Sequence, residues 1–342
     1  MIILTDILVE PFDEGAKIAT NNIIKQIKLI KKAHVIAINS NTCKKIADHS
    51  FFLNKFLFNF SFYRFIKKLP SKKILYIPKS SITLNSFIRA KLISIFTGKD
   101  IHIFSVQPRE FSFLSREIIK LIKPASIIVQ SKKSSRYLSK LGIQISTLPL
   151  GVDVTKFCQF NAITKNNMRN QYGINLKKNV LLHIGHLHKS RNINWLIEVK
   201  EKLPEIEIIL IGSTYTKIDK DLFQDLTNKH IRIINESISD IETIYNLADF
   251  YIFPVISNDG AIETPLSVLE AMACNLPVIT TRFGSLPDTF NEDNDFHFVE
   301  SSAEIAAFIK VRTKKNCNNR EKIASFTWKQ IAQKLVEVVE GQ

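Results

Sequence analysis

The sequence predicts an α/β protein of two Rossmann-like domains that face a central cleft. In each half of the 342-residue chain, short apolar runs alternate with longer runs whose apolar residues recur at helical spacing. This alternation is typical of a doubly wound parallel sheet. A polar stretch rich in Asn and Lys, residues 158–178, separates the two series and predicts an inter-domain linker.

Composition limits the class of protein. Apolar residues make up 45% of the chain and charged residues 23%, as in globular proteins that work in water. The first residues, Met1–Asp6, lack a basic segment and a cleavage site, so we expect a first strand there. The four cysteines are far apart and lack metal-ligand spacing, which predicts reduced thiols in a cytoplasmic protein without a bound metal.

The first series supplies the elements of a predicted N-terminal domain, residues 1–157. Its strand candidates are Met1–Leu4, His34–Asn39, Ile74–Ile77, His102–Val106, Ser126–Val129 and Ile145–Leu148. Its helical patterns are Ala16–Lys31, Ser86–Phe96, Phe113–Leu121 and Lys132–Leu141. Gly15 precedes the first helix, where a glycine allows close approach of a ligand or simply a tight turn.

The second series predicts a C-terminal domain, residues 158–325. Its strand candidates are Val180–Ile184, Ile206–Ile211, Ile231–Ile234, Phe250–Pro254 and Val278–Thr281. Its helical patterns are Ile193–Lys202, Asp219–Asn228, Ile238–Leu247 and Glu304–Ile309, with a terminal amphipathic helix at Trp328–Val339. We expect the C-terminal helix, within residues 326–342, to pack back on the N-terminal domain.

Positive charge is concentrated in the first half of the chain. Residues 1–165 hold 27 Lys and Arg against 9 Asp and Glu, whereas the remainder holds 20 against 23. This asymmetry indicates that the N-terminal half faces a polyanion, either an anionic membrane or nucleic acid. A Lys-rich surface alone would not explain why carboxylates are scarce in only one half.

An aromatic segment within this basic half favours the membrane. Phe51–Leu69 holds eight Phe and Tyr among its first fifteen residues, interleaved with Lys and Arg. Aromatic residues ringed by cations are typical of an interfacial membrane helix, and a core helix with basic flanks is the second interpretation. Nucleic-acid stacking platforms present fewer aromatics, so we expect an anionic membrane partner rather than nucleic acid.

Three loops of the second half follow strands and precede helices, where doubly wound sheets bind ligands. The first runs from Gly185 to Asn192 and combines a glycine, the cation of Arg191 and a helix start, which suits a pyrophosphate. The second begins at Gly212. The third runs from Asp259 to Glu270, with Thr264, Pro265, Leu266 and Ser267 at the start of a helix whose free amides suit phosphate. Glu270 on that helix suits ribose hydroxyls.

The order and spacing of these loops resemble a known family. The runs HIGHLHKSRNINWLIEV and TPLSVLEAMACNLPVITTRFGSLPD are similar to the nucleotide-sugar-binding domain of glycosyltransferase family 4, the glycosyl transferases group 1. PLGVDVTKF resembles the entry to that domain, and EGAKIATNNIIKQI resembles the glycine loop and first helix of the other. The resemblance is continuous from about Leu148 to the end and implies the GT-B fold.

The resemblance also implies an activity and roles for particular residues. It implies a metal-independent, retaining hexosyltransferase that takes its sugar from a nucleotide diphosphate sugar and needs no cofactor. The family's Arg and Lys on the diphosphate correspond to His186 and Arg191 here. The second of its two glutamates is Glu270. The first falls at Ile262, so Glu263, one residue later, becomes the candidate that holds the sugar.

The acceptor side is less well specified. The resemblance implies that the N-terminal domain completes it, and Gln107 and Arg109, after the strand at His102–Val106, are placed to face the cleft. The catalytic candidates are therefore Arg191, Glu263 and Gln107. We expect a lipid-linked, glycan or other amphiphilic acceptor and a cytoplasmic enzyme peripheral to the inner face of the membrane. The alternatives are a sugar-nucleotide epimerase of GT-B fold and a non-catalytic partner subunit.

Overall fold

Both predicted series form parallel sheets in a computed structural model of the chain. The structure describes residues 1–8, 10, 12, 14–38, 46–53, 59–79, 81–107, 109–212, 219–236, 238–257, 261–312 and 317–341. The chain divides into two compact units. The N-terminal unit comprises Met1–Gly151, Ile262–Thr264 and Trp328–Gln342, and the C-terminal unit comprises Val152–Ala261 and Pro265–Thr327.

The N-terminal unit is built on a seven-stranded parallel sheet of order β3-β2-β1-β4-β5-β6-β7. Its strands are β1 (Ile2–Thr5), β2 (His34–Ile38), β3 (His49–Phe51), β4 (Lys73–Ile77), β5 (Asp100–Phe104), β6 (Ser126–Val129) and β7 (Ile145–Thr147). Its first five helices are α1 (Gly15–Ile30), α2 (Phe60–Lys68), α3 (Leu84–Thr97), α4 (Phe113–Leu121) and α5 (Lys132–Ser139). Strands such as β1 and β6 are buried along their whole length because helices cover the sheet.

The C-terminal unit is built on a six-stranded parallel sheet of order β10-β9-β8-β11-β12-β13. Its strands are β8 (Val180–Ile184), β9 (Glu207–Ile211), β10 (Arg232–Ile234), β11 (Phe250–Phe253), β12 (Val278–Thr280) and β13 (Phe296–Phe298). Its helices are α6 (Ala162–Gln171), α7 (Asn194–Lys202), α8 (Lys220–Asn228), α9 (Ile241–Leu247), α10 (Leu266–Ala273), α11 (Leu286–Thr289), α12 (Ser302–Val311) and α13 (Asn319–Lys322). Alternate residues of β8 enter two different hydrophobic cores, which places helices on both faces.

The last helix, α14 (Trp328–Glu340), belongs to the N-terminal unit and packs against α1. Lys31, directly after α1, forms an ion pair with Glu340. The first residue of this helix, Trp328, packs closely against Gly151. A Cβ added to Gly151 would lie 2.9 Å from Trp328. The contacts therefore divide the first unit from the second after Gly151, six residues before the predicted boundary at 157.

The aromatic segment Phe51–Leu69 does not form the predicted interfacial helix. Phe51 ends β3, residues 54–58 lie outside the described part of the chain, and a helix begins only at Phe60. In α2 the Phe62 side chain is 0% exposed and packs in the core of the N-terminal unit, whereas Phe60 is 83% exposed. The prediction is wrong for residues 60–68 because tertiary packing against the sheet buries one aromatic face, which the second interpretation had anticipated.

The predicted linker at residues 158–178 is also wrong, because α6 lies within it. The helix is anchored by Arg169, a buried cation whose Nε and Nη2 atoms donate to the carbonyl of Leu247 at 2.8 and 2.6 Å. Nη2 also donates to Asp249 Oδ2 at 2.6 Å. A polar composition concealed this helix because its fully buried residue, Arg169, is charged.

None of the described helices is long and apolar enough to cross a membrane.

Candidate functional site

The first candidate loop follows β8 in the C-terminal unit. Gly185 comes directly after the strand, and a single 3-10 turn, Lys189–Arg191, leads through Asn192 into α7. Asn192 has a left-handed backbone with φ of 55°, and its side-chain amide donates to the Pro254 carbonyl at 2.9 Å. These contacts hold the loop at the carboxyl edge of the sheet, where the sequence placed it.

Gly185 makes room for the guanidinium of Arg191. A Cβ at residue 185 would lie 2.7 Å from Nη1 of Arg191 and 3.3 Å from Nε2 of His183. Arg191 is only 8% exposed, and burial lowers its pKa to about 10, so it stays protonated at neutral pH. The sequence thus identified a cation next to a glycine, and the structure shows that a side chain at residue 185 would displace the Arg191 guanidinium.

His183 lies beneath this loop as a buried, neutral side chain. Its Nδ1 atom lies 2.9 Å from the carbonyl oxygen of Ile252, to which it donates. Burial lowers the pKa of His183 to about 4, with the nearby charge of Arg191 acting in the same direction. His183 therefore has a structural role, supporting the loop from within β8.

Gly212, at the start of the second loop, also sits in close packing. A Cβ there would lie 2.7 Å from Oδ1 of Asn235 and 3.3 Å from Leu187 of the first loop. Gly212 therefore lies beside the first loop, although residues 213–218, including Ser213 and Thr214, lie outside the described residues.

The third loop leads into α10, whose N-terminal cap position is Pro265. The first bond of the helix runs from the Val268 amide to the Pro265 carbonyl at 3.1 Å, so the amides of Leu266 and Ser267 precede the hydrogen-bonded ladder. Asp259, where this loop was predicted to begin, lies outside the described residues. The helix start thus has the geometry that binds anions.

Glu270 lies one turn into α10 and is held by a tyrosine. The Tyr245 hydroxyl, on α9, donates to Oε2 of Glu270 at 2.6 Å. Burial raises the pKa of Glu270 to about 7, and the hydrogen bond from Tyr245 opposes that rise. The carboxylate therefore titrates near neutral pH with one oxygen already directed by a fixed donor.

A second tyrosine connects the first loop with α10. Tyr251, on β11, donates to the Ile184 carbonyl at 3.4 Å and is hydrogen-bonded with the Ser267 side chain. It also interacts electrostatically with Arg191 and Glu270. The structure thus brings Gly185, Arg191, Ser267 and Glu270 into one cluster of the C-terminal unit. His186, which follows Gly185, is half-buried.

Glu263 is placed differently. Ile262–Thr264 belongs by its contacts to the N-terminal unit, where the Glu263 carboxylate accepts from Ser131, Ser134 and the amide of Gln130. Its own amide donates to the Val106 carbonyl at 3.1 Å. Burial raises the pKa of Glu263, and these hydrogen bonds act in the opposite direction. Its role as a sugar ligand remains a prediction from the resemblance.

The other predicted residues of the N-terminal unit follow its strands. Gly15 starts α1, and a Cβ there would lie 3.0 Å from Ile262. Gln107 and Arg109 follow β5, the first half-buried and the second exposed. Thr264 is buried beside Glu263. His102, before Gln107 in the chain, is buried in β5 with its Nδ1 atom 2.8 Å from Ser126 Oγ.

Tyr245 and Tyr251 are the site residues that the sequence did not identify. Both are fully buried, and each contributes only its hydroxyl to the polar cluster. The available signal was a tyrosine, rather than a phenylalanine, at two apolar positions close in sequence to the third loop. A buried tyrosine usually has a hydrogen-bond partner, so each hydroxyl indicated a polar neighbour.

A buried cation, a helix start with amides outside the ladder and a directed carboxylate suit one kind of ligand. The cation and amides match a diphosphate, and the carboxylate matches vicinal hydroxyls. Among the described residues, no group of three or more His, Cys, Asp or Glu side chains is arranged to hold a metal ion.

Comparison with known proteins finds a family match within the C-terminal unit. Residues 164–325 match the family described as glycosyl transferases group 1. The chain is 27% identical over 254 residues to TuaC of Bacillus subtilis, described as a teichuronic acid biosynthesis glycosyltransferase, covering 72% of this chain and 58% of the relative. It is 29% identical over 120 residues to the sulfoquinovosyl transferase SQD2 of Arabidopsis thaliana, covering 35% and 22%. The chain thus spans little more than half of the first relative.

Solved structures show the same fold over the whole chain. Anabaena Alr3699/HepE, crystallised with UDP, superposes with a TM-score of 0.81 at 16% identity, covering 100% of both chains. WaaG, a glycosyltransferase involved in lipopolysaccharide biosynthesis, superposes with a TM-score of 0.65 at 13% identity, again covering 100% of both chains. The predicted GT-B fold is therefore confirmed.

Proposed function

We propose that this chain, whose residues 164–325 match the glycosyl transferases group 1 family, transfers a sugar from a nucleotide diphosphate sugar to a hydroxyl acceptor. The observation that carries the proposal is the cluster of Arg191, Ser267 and Glu270 in the C-terminal unit, linked through Tyr251. It offers complementary groups to the diphosphate and the ribose of one donor. Relatives with the same fold were crystallised with UDP or UDP-glucose, which supports this class of ligand.

In the proposed reaction the chain's own residues bind and orient the donor and stabilise its leaving group. Glu270 accepts hydrogen bonds from the ribose, while Arg191 and the first amides of α10 bind the diphosphate. As the bond from sugar to phosphate breaks, negative charge accumulates on the diphosphate, and a positioned cation and amides stabilise it. We propose that the acceptor hydroxyl attacks from the same face and gives its proton to the departing diphosphate, so configuration is retained.

Donor binding is tested with a panel of UDP-, GDP- and ADP-sugars in a thermal shift assay. A ligand that binds only the folded protein stabilises it by about 2.7 kcal/mol at 100 times its Kd. We expect one nucleotide class to raise the unfolding temperature, and Arg191→Ala and Glu270→Ala to abolish the rise while each variant remains folded. A shift that both variants retain would place the donor elsewhere and contradict the proposal.

Product analysis then distinguishes the reaction from its alternatives. With the bound nucleotide sugar alone, a transferase slowly releases sugar and nucleoside diphosphate, whereas an epimerase converts the donor into an isomeric nucleotide sugar. A non-catalytic partner subunit would do neither. If Arg191→Ala folds normally but no longer releases nucleoside diphosphate, the release occurs at this site.

We further propose that the acceptor is amphiphilic and that the N-terminal unit works at the inner face of an anionic membrane. The charge of residues 1–165 supports this, with 27 Lys and Arg against 9 Asp and Glu. Because α2 buries its aromatic face in the core, we propose α4 as the membrane contact. Its residues Phe113, Leu114 and Leu121 are apolar and exposed. Arg116 and Lys120 lie on the same helix, and the guanidinium of Arg116 lies 5.9 Å from the centroid of the Phe113 ring.

Vesicle sedimentation tests the membrane proposal. We expect the protein to sediment with vesicles containing phosphatidylglycerol at low salt, and less with neutral vesicles or at 0.5 M salt, because surface charges are screened within a few ångströms there. Phe113→Ser with Leu114→Ser should reduce sedimentation. The matched control is Ile163→Ser, since Ile163 on α6 is 75% exposed while Phe113 is 71% exposed. Equal sedimentation of all three proteins would exclude α4 as the contact.

A further inference from the structure

Glu263 is bound to the N-terminal unit through both of its carboxylate oxygens. Oε1 accepts from the hydroxyls of Ser131 and Ser134, and Oε2 accepts from the Gln130 amide at 3.2 Å. The Glu263 amide adds a bond to the Val106 carbonyl at 3.1 Å. The side chain is 6% exposed, so these donors replace water around the carboxylate.

The position of these donors suits a fixed anion. Ser131 is the N-cap of α5, and its hydroxyl also accepts from the Ser134 amide at 3.1 Å. The carboxylate therefore lies at the positive end of the α5 dipole, which favours a negative charge. Charge-assisted hydrogen bonds of this kind are stronger than neutral ones. A carboxylate so engaged has little remaining capacity for a sugar hydroxyl.

The covalent chain gives this contact a consequence for the donor site. Glu263 is followed by Thr264, which is buried, and then by Pro265, the N-cap of α10. Because two peptide bonds connect Glu263 with the cap, the position of its carboxylate restrains the backbone at which α10 begins. The amides of Leu266 and Ser267, and Glu270 one turn later, extend from that point.

We infer that Glu263 is a positioning residue, which fixes the entry into α10 by binding Ser131, Ser134 and the Gln130 amide, and is not a ligand of the transferred sugar. For its effect on ligand affinity this inference rests on the proposed donor function of α10. Substituting a positioning residue weakens the binding of every ligand that contacts α10. Substituting a residue that binds the sugar weakens only the binding of donors that carry the sugar.

Two ligands that differ only by the sugar separate these roles. UDP and UDP-glucose are the first pair, with GDP and GDP-mannose as the second, and affinities are measured by calorimetry. For Glu263→Ala we expect affinity to fall about tenfold for the nucleoside diphosphate and the nucleotide sugar alike, the scale of a lost charge-assisted hydrogen bond. A loss confined to UDP-glucose or GDP-mannose would overturn the inference in favour of a sugar ligand.

A double-mutant cycle tests whether the serine carries the effect. Ser134→Ala removes one donor to Glu263 and leaves the α5 cap intact, so we expect a roughly threefold loss of affinity. In the double variant Ser134→Ala with Glu263→Ala, affinity should be no weaker than in Glu263→Ala alone, because one interaction is removed twice. Independent, multiplying losses would contradict the inference. Glu117→Ala, an exposed carboxylate of α4, is the control and should bind as the wild type does.

Hydrogen exchange of the unliganded protein keeps the inference testable whatever the donor is. The amides of residues 263–269 should exchange about tenfold faster in Glu263→Ala and only slightly faster in Glu263→Gln, which retains one acceptor oxygen. Unchanged exchange would overturn the inference. If the wild type binds none of the UDP-, GDP- and ADP-sugars of the panel while this segment still loosens, the proposed donor function fails and the positioning of α10 stands.

Discussion

Glu270 is the residue whose surroundings have the most direct consequence for pH. Burial raises its pKa to about 7, while the Tyr245 hydroxyl stabilises the ionised form. Between pH 4.5 and 7 the folded state therefore holds a proton on this group that the unfolded state has already lost. Folding is thus favoured at the acidic end of that window, and the contribution is lost as pH rises through the folded pKa.

We expect the free energy of unfolding of the wild type to fall between pH 5 and pH 8 relative to that of Glu270→Gln, whose side chain does not titrate. A pKa shift of this size corresponds to a change of about 3 kcal/mol in the free energy of unfolding. Because Glu270 is only half-buried, solvent screens the effect, and we expect a change on the order of 1 kcal/mol. Urea unfolding at four pH values measures both proteins. Taking the difference removes contributions from other groups, and parallel curves would contradict the assignment.

Gly185 is the second residue whose effect is local and sharp. A methyl group at residue 185 would lie 2.7 Å from Nη1 of Arg191 and close to the buried ring of His183, so Arg191 must move. We expect Gly185→Ala to cost about 1–3 kcal/mol of stability, as overpacking does, and to weaken nucleotide binding at least ~10-fold.

Gly173→Ala is the control for that variant. Gly173 has a φ of 63° and nothing within 4 Å of an added Cβ, so alanine there strains the backbone without touching the site. It should lose some stability and bind nucleotide as the wild type does. Calorimetry and thermal unfolding measure the pair, and equal loss of binding in both would show that stability, not Arg191, governs affinity.

At the scale of elements, α2 shows how one helix can satisfy two sequence patterns. Its aromatic content resembles a membrane helix, and its periodicity resembles a core helix. The sheet of the N-terminal unit decides between them by burying Phe62, Tyr63 and Ile66 while Phe60 stays in solvent. Tertiary contacts also explain α6, whose polar composition did not predict a helix. The buried hydrogen bonds of Arg169 stabilise it.

Two phenylalanines two positions apart test the burial of α2. We expect Phe62→Ala to lower the free energy of unfolding by about 3–5 kcal/mol, because it removes a fully buried ring from a packed core. Phe60→Ala should change it by less than about 0.5 kcal/mol, since the ring is 83% exposed. Urea unfolding of both variants suffices. Equal, small effects would mean that α2 does not belong to the core.

At the scale of the whole molecule, charge and site are separated between the two units. The basic excess lies in residues 1–165, while the cluster proposed for the donor lies entirely in the C-terminal unit. This separation agrees with the proposal that the chain holds a nucleotide on one sheet and meets an anionic surface with the other. Solved structures of 13% and 16% identity share this fold. A fold by itself does not determine a substrate, so the acceptor is not read from it.

We expect nucleotide binding to protect the C-terminal unit selectively. In hydrogen exchange with a saturating nucleotide sugar, protection should be strongest in residues 185–191, 245–251 and 266–270, because Arg191, Tyr251 and Glu270 are linked there. The sheet of the N-terminal unit should change little. Uniform protection of both units would indicate global stabilisation or a donor bound elsewhere.

The sequence by itself determined the two parallel sheets, most of their strands within a residue or two, and the positions of the loops at Gly185 and Leu266–Glu270. These features depend on apolar periodicity and on the local order of strand, glycine and helix, which neighbouring residues specify. Tertiary structure alone decided the burial of α2, the helix within residues 158–178, the tyrosine that directs Glu270 and the partners of Glu263. Those partners lie 129 to 133 residues away in the chain, so no local pattern could specify them, and only the packing of the folded chain brought that carboxylate to the end of α5.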